Sequence, residues 1–200
     1  ATFIYSSSAT QTLSGVISGT GALTKDTDTS SVLTLSNTNT YTGVTTINAG
    51  TISVGTIGNG GAAGNLGQAT NASTNIVLGG GTLKYTGSTA TSDRAFTITA
   101  GTTGTIDVPT GVTLTLAGAT GTTTTGALTK TNSGTLNLSG VNTYTGTTTI
   151  SAGTLAITGS GSLNSGSYAG SIVDNATFIY SSSATQTLSG VISGTGALTK

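Results

Sequence analysis

The first 25 residues, ATFIYSSSATQTLSGVISGTGALTK, recur letter for letter as Ala176–Lys200. Identity at every position, freely variable Ser and Thr included, at an offset of 175 (Ala1 to Ala176) marks tandem duplication. We therefore expect residues 1–200 to be a single continuous segment, with 1–175 one full repeat period and 176–200 the start of the next. Both ends fall inside the repeat, so the native molecule should be much longer.

A looser repeat lies within the period. Ala22 to Val54 matches Ala127 to Ile157: both begin ALTK, both contain Asn-Thr-Tyr-Thr-Gly (39–43 and 142–146), and both continue to Ala-Gly-Thr and an aliphatic, Ile52 or Leu155. The offset is 105 at Lys25/Lys130 and 103 at Leu33/Leu136, so the first copy carries two extra residues within Asp26 to Ser31. Self-similarity on this scale indicates a solenoid or a propeller before other architectures.

Local pattern favours the solenoid. Apolar and small polar residues alternate at period two in Leu33-Thr34-Leu35, Ile52-Ser53-Val54, Leu83-Lys84-Tyr85, Phe96-Thr97-Ile98, Leu114-Thr115-Leu116, Leu136-Asn137-Leu138 and Leu155-Ala156-Ile157, the signature of half-buried strands. No window has helical spacing, and Gly interrupts nearly every ten residues, so helix should be almost absent. A sandwich would join longer strands by tight Asn-Gly hairpins; Asn59-Gly60 alone fits. Short strands with recurring Gly, Asn or Ser corners fit coils of about 20–29 residues stacked on one another. The expected fold is all-β, a parallel β-helix (β-solenoid) with roughly eight coils per 175-residue repeat and ~40 Å of rod at ~4.8 Å per turn.

Composition narrows the function. Only 5% of residues are charged, the net charge is zero, and the chain has no Cys, His, Met, Trp or Glu. Polarity comes from hydroxyls and amides, with 49 threonines. The 32 glycines could suggest disorder, but disordered chains lack the β-branched residues that run throughout this one. Five scattered cations cannot form the cluster that nucleic acid requires, nor a polybasic patch for a membrane surface. No apolar run approaches the ~20 residues that span a bilayer, so membrane insertion of this segment is not expected.

Catalysis is disfavoured on the same grounds. General acid–base work needs a His, a raised carboxylic acid or a lowered Lys. The five Asp are dispersed apart from Asp26 and Asp28, which offer too few oxygens for calcium; we expect no metal, no cofactor and no enzyme activity. Asp93-Arg94 reads as a surface pair worth little. Gly58 to Ala63 spells a dinucleotide fingerprint, but Gly64-Asn65-Leu66-Gly67 follows where a helix is required; it reads as a loop.

The stretch ALTK…GTLNLSGVNTYTGTTTISAGTLAI, with Lys130, Leu138-Ser139-Gly140, Asn142 to Gly146, Thr148 to Ile150 and Ala152 to Leu155, closely resembles the autotransporter-associated β-strand repeat of bacterial passenger domains. Gly80 to Tyr85, Asp93 to Phe96 and Gly104 to Val108 look like the linking segments between such repeats. The resemblance covers most of the chain. It implies a right-handed parallel β-helix displayed outside a bacterial cell, at the surface or secreted, commonly in adhesins and giant surface proteins.

The repeat-motif residues are Asn39, Tyr41, Gly43 and Gly50 in the first copy and Asn142, Tyr144, Gly146 and Gly153 in the second. Exposed aromatics can stack on sugar rings, which makes a sugar-binding role one reading of Tyr41 and Tyr144; recurrence at equivalent positions favours a structural corner in which the tyrosine covers the edge of the core. The leading reading is a structural repeat of a surface fibre or stalk, serving display, adhesion or matrix formation. Its partners would be further copies in the same chain, lateral or end-to-end neighbours, and host-surface or glycan ligands. Alternatives are a ligand-specific adhesin and an ice-binding solenoid. Thr38/Thr40, Thr103/Thr105 and Thr147/Thr149 have the local pattern for ice, but are too irregularly spaced in sequence for a ladder.

Overall fold

The computed structural model describes residues 1–121 and 124–200. Strands of two to five residues follow one another from Thr2–Tyr5 to Ala197–Thr199, and each pairs in parallel with strands one turn away. They fall on three faces. The first holds Thr2–Tyr5, Ala22–Lys25, Thr45–Ile47, Ile76–Leu78 and Thr97–Ile98. It is carried on by the Thr124–Tyr144 bridge and by the pairing of Ser167–Tyr168 with Thr187–Leu188. The second face stacks nine strands among the described residues: Gln11–Leu13, Val32–Leu35, Thr51–Val54, Thr82–Tyr85, Thr103–Asp107, Ala127–Thr131, Thr148–Ile150, Ile172–Asp174 and Ile192–Ser193. On the third lie Ala90–Ser92, Thr113–Leu116, Thr135–Leu138, Thr154–Ile157, Thr177–Tyr180 and Ala197–Thr199. The molecule is a parallel β-solenoid of about 9 turns.

Alternation at period two sends every second side chain inward, and the register aligns those side chains in columns. On the second face Leu33, Ile52, Leu83 and Ile106 stack in turn; on the third, Leu114, Leu136, Leu155 and Phe178 do. All eight are at most 2% exposed, and each contributes about 1.5–3 kcal/mol by leaving water. Among the described residues helix is confined to two 3₁₀ turns, Ser73–Asn75 and Asn164–Gly166.

Turn length varies, from 19 residues (Leu33 to Ile52) to 31 (Ile52 to Leu83). Corners absorb the difference, so irregular spacing in sequence conceals strict register in space. The expectation that no threonine ladder forms is overturned for this reason. Thr51, Thr82, Thr105, Thr129 and Thr149 stand in lateral register on five successive turns of the second face. All five are half-exposed. Thr113, Thr135, Thr154 and Thr177 form a second ladder on the third face. Thr38 and Thr40 belong to neither; they flank buried Asn39 at a corner.

Candidate functional site

The polar groups with the most chemistry gather at the corners. Asn39 and Asn142 are each 1% exposed. Asn39 accepts from Ile17 N at 2.8 Å and donates to Asn65 O at 2.8 Å, tying together the turns before and after its own. Asn142 donates to Gly140 O (2.8 Å) and Ser162 O (3.2 Å). An amide suits this place because it supplies both donors and an acceptor to the surrounding backbone.

Tyr41 and Tyr144 lie in the core, 1% and 2% exposed, and neither presents a ring face to solvent. The Tyr41 hydroxyl meets Thr45 Oγ1 at 2.7 Å, and that of Tyr144 meets Thr148 Oγ1 at 3.0 Å. Burial pushes Tyr41 up to about 12 and raises Tyr144 further, the Tyr168 hydroxyl adding to the second shift. Thr148 Oγ1 also reaches the Tyr168 hydroxyl at 2.8 Å, and the Tyr144 and Tyr168 rings pack edge to face with centroids 5.9 Å apart.

The motif glycines stand where turns approach too closely for a side chain. A Cβ on Gly43 would lie 2.3 Å from Gly21 O, and one on Gly146 2.4 Å from Gly126 O. Gly50 and Gly153 additionally hold φ of +65° and +71°, a region disfavoured for residues with a Cβ.

Three cations that look free in sequence are buried. Lys25 and Lys130 are 0% exposed; in ALTK the lysine shares inward parity with the leucine two residues before it. The Lys130 ammonium donates to Thr131 O (2.6 Å), Asn132 O (2.7 Å) and Ala152 O (3.4 Å), capping a corner that Asn132 turns at φ +64°. Lys25 Nζ donates to Thr27 O (2.8 Å) and Asp26 O (3.3 Å), and lies 5.6 Å from the centre of the Tyr5 ring. Desolvation lowers both: Lys130 falls to about 8 despite nearby Asp107, and Lys25 is lowered against the pull of Asp28 and Asp26.

Arg94 corrects a sequence reading. Rather than forming a surface pair with Asp93, it is 1% exposed. Its guanidinium reaches the carbonyls of Ile57 (3.2 Å), Ala69 (3.3 Å), Gly67 (2.9 Å) and Ala62 (3.5 Å). Asp93 accepts from Gly60 N (2.7 Å) and Asn71 Nδ2 (3.2 Å), and the Ser92 hydroxyl donates to Gly58 O. These three consecutive residues clamp the long excursion of the 31-residue turn, which includes the Gly58–Ala63 stretch that mimics a dinucleotide fingerprint. Nothing in the sequence near Arg94 signals this, because its partners are backbone carbonyls 25 to 37 residues away.

Among the described residues no buried side-chain nitrogen or oxygen lacks a partner, and no three His, Cys, Asp or Glu side chains are grouped to hold a metal. Lys25, Lys130 and Arg94 are committed to the chain's own carbonyls. Among the described residues no helix is long and apolar enough to cross a membrane.

The passenger-associated-transport-repeat family description matches residues 30–54 and 128–157, the two internal copies whose corners are described above. These two stretches of the solenoid are similar to passenger-associated-transport repeats. The matched segments place Leu33 and Leu136 in the inward columns of the second and third faces, with the Asn-Tyr corner following each. The chain is similar to the adhesin BmaC autotransporter of Brucella suis biovar 1 (strain 1330), 48% identical over 120 residues. That match covers 59% of this chain and 3% of the relative's length. No solved structure matches the chain significantly.

Proposed function

We propose that the chain is a length-giving segment of an extracellular bacterial surface rod, with residues 1–175 one period and 176–200 opening the next. In this reading Asn39, Tyr41, Gly43 and Gly50, with Asn142, Tyr144, Gly146 and Gly153, are the structural motif of the coil corner, not a ligand site. The observation that carries it is the direction of the polar groups: the repeated Asn, Tyr and Lys residues face inward, Asn and Lys binding backbone carbonyls and Tyr the threonine four residues on. What repeats is the means of stacking, while the outside offers mostly Thr and Ser. Similarity to an adhesin autotransporter supports display at a cell surface and a part in adhesion, through reach or through contacts with neighbouring rods.

Excision of one 175-residue unit from the full-length protein on cells tests this. A surface projection shorter by ~37 Å, with adhesion reduced in proportion to reach, is expected. Saturable binding of host cells or glycans by every unit alone, abolished by changes confined to one exposed patch, would instead establish a ligand-specific adhesin.

A second reading is favoured by one observation, the five-rung threonine ladder on the second face. A regular row of hydroxyls and methyls at ~4.8 Å spacing could order water into a lattice. Inhibition of ice recrystallisation by the segment, lost in Thr105→Lys and Thr129→Lys, would establish it; unchanged ice growth disposes of it.

A further inference from the structure

Identical residues at the two ends are covered differently. Phe3 is 46% exposed, whereas its counterpart Phe178 is 0% exposed beneath the register-paired Leu155 of Thr154–Ile157. Leu23 is 1% exposed under the Thr45–Ile47 turn, whereas its counterpart Leu198 is 55% exposed. The first copy lacks a turn on one side and the second lacks one on the other, and each shows how the missing side is filled. Open clefts mark the two ends, one lined by Phe3, Leu13 and Val16, the other by Tyr180, Leu188 and Leu198.

The two copies also sit on different faces. Thr2–Tyr5 is on the first face and Thr177–Tyr180 on the third. Tyr5 stacks with Lys25, Ile47, Leu78 and Ile98, four full turns on the first face. The chain then crosses the second face at Thr103–Asp107 and reaches Leu116 on the third. From there Leu138, Ile157 and Tyr180 complete three more turns. One 175-residue period therefore contains seven and two-thirds turns. The internal repeat behaves alike: ALTK lies on the first face at Ala22–Lys25 and on the second within Ala127–Thr131.

Resting on the reading of the chain as one period of a tandem array, we infer that each period advances seven and two-thirds turns, so that equivalent residues of successive copies fall on different faces. Successive copies then join as a three-sided screw. The preceding unit's counterpart of Thr154–Ile157 covers Phe3, as Thr154–Ile157 covers Phe178. Each unit advances ~37 Å along the axis and turns its equivalent residues by one face, about 120° for three faces of a solenoid whose twist is set per repeat. Three units restore the starting face after 23 turns, ~110 Å. An outward feature such as the Thr51–Thr149 ladder is thus presented on every side of the rod in turn, so a rod meets a neighbour or a surface with the same patch whatever its rotation about its own axis.

The test is a chain of three tandem units carrying Thr110→Cys in each. Thr110 is an exposed corner residue, and the sequence has no other cysteine to take a maleimide-gold label. Electron cryomicroscopy should show labels on three different sides, stepped ~37 Å apart, and a reconstruction of the unlabelled rod should show the same one-face rotation. Labels along a single side, or a reconstruction with a whole number of turns per unit, would overturn the screw while leaving the surface-rod reading intact. Separate globular units joined flexibly would overturn both.

Discussion

Tyr41 and Tyr144 occupy the same place in the same Asn-Thr-Tyr-Thr-Gly stretch, and both bond the threonine four residues on, yet different structures cover them. Over Tyr41 lies the long excursion of the next turn, where Gln68 N donates to Tyr41 O at 2.7 Å and Arg94 holds Gly67. Over Tyr144 lies a single aromatic ring, Tyr168. The repeat specifies its own corner and leaves the cover to whichever turn follows. A solenoid can thus change turn length and even face between two copies of one motif, because parallel edges on every face offer the same backbone pairing.

The largest effect on this contrast should come from Arg94→Met. It orphans several buried carbonyls at about 1–3 kcal/mol each. Hydrogen exchange should show residues 57–71 and the Tyr41 corner losing protection while 127–157 keeps it; equal loss in both copies would mean that the clamp acts on the whole rod. Next is Tyr168→Ala, with about 3–5 kcal/mol for loss of a buried aromatic. Its exchange signature is the mirror image, confined to the Tyr144 corner, and protection left unchanged there would show that the ring is dispensable.

A smaller, pH-dependent difference separates the two lysines. Lys130 titrates near 8 when folded and at its ordinary value near 10.5 when unfolded. Between those values the unfolded chain holds a proton that the folded chain has lost, so Lys130's contribution to stability rises with pH across that window. Below it, the cost of burying the ammonium is fully present. The melting temperature of the unaltered chain relative to Lys130→Met should therefore climb from pH ~8 to ~10.5. For Lys25→Met the climb should be weaker, since Asp26 and Asp28 of the two-residue insertion favour the charged form. A flat profile for Lys130 would show that its three carbonyl partners keep it protonated.

Much of this was legible beforehand. Repeats with short alternating strands led to a parallel solenoid, and alternation identified Leu33, Ile52, Leu114, Leu136 and Leu155 as inward residues. The parity of ALTK also carried the burial of Lys25 and Lys130, masked by the rule that lysine lies outside. Arg94 was not legible, since backbone carbonyls brought near by a loop leave no mark in the side-chain sequence. The threonine ladders were hidden by corners of unequal length.

The sequence by itself determined which residues point inward, where the chain turns and that its turns stack, because those follow from period-two patterning, glycine at close approaches and repetition. Only the tertiary structure decided which face each copy occupies and which residues on distant turns become neighbours. Register is set by the summed lengths of corners and by what packs above and below, and local pattern is identical on all three faces.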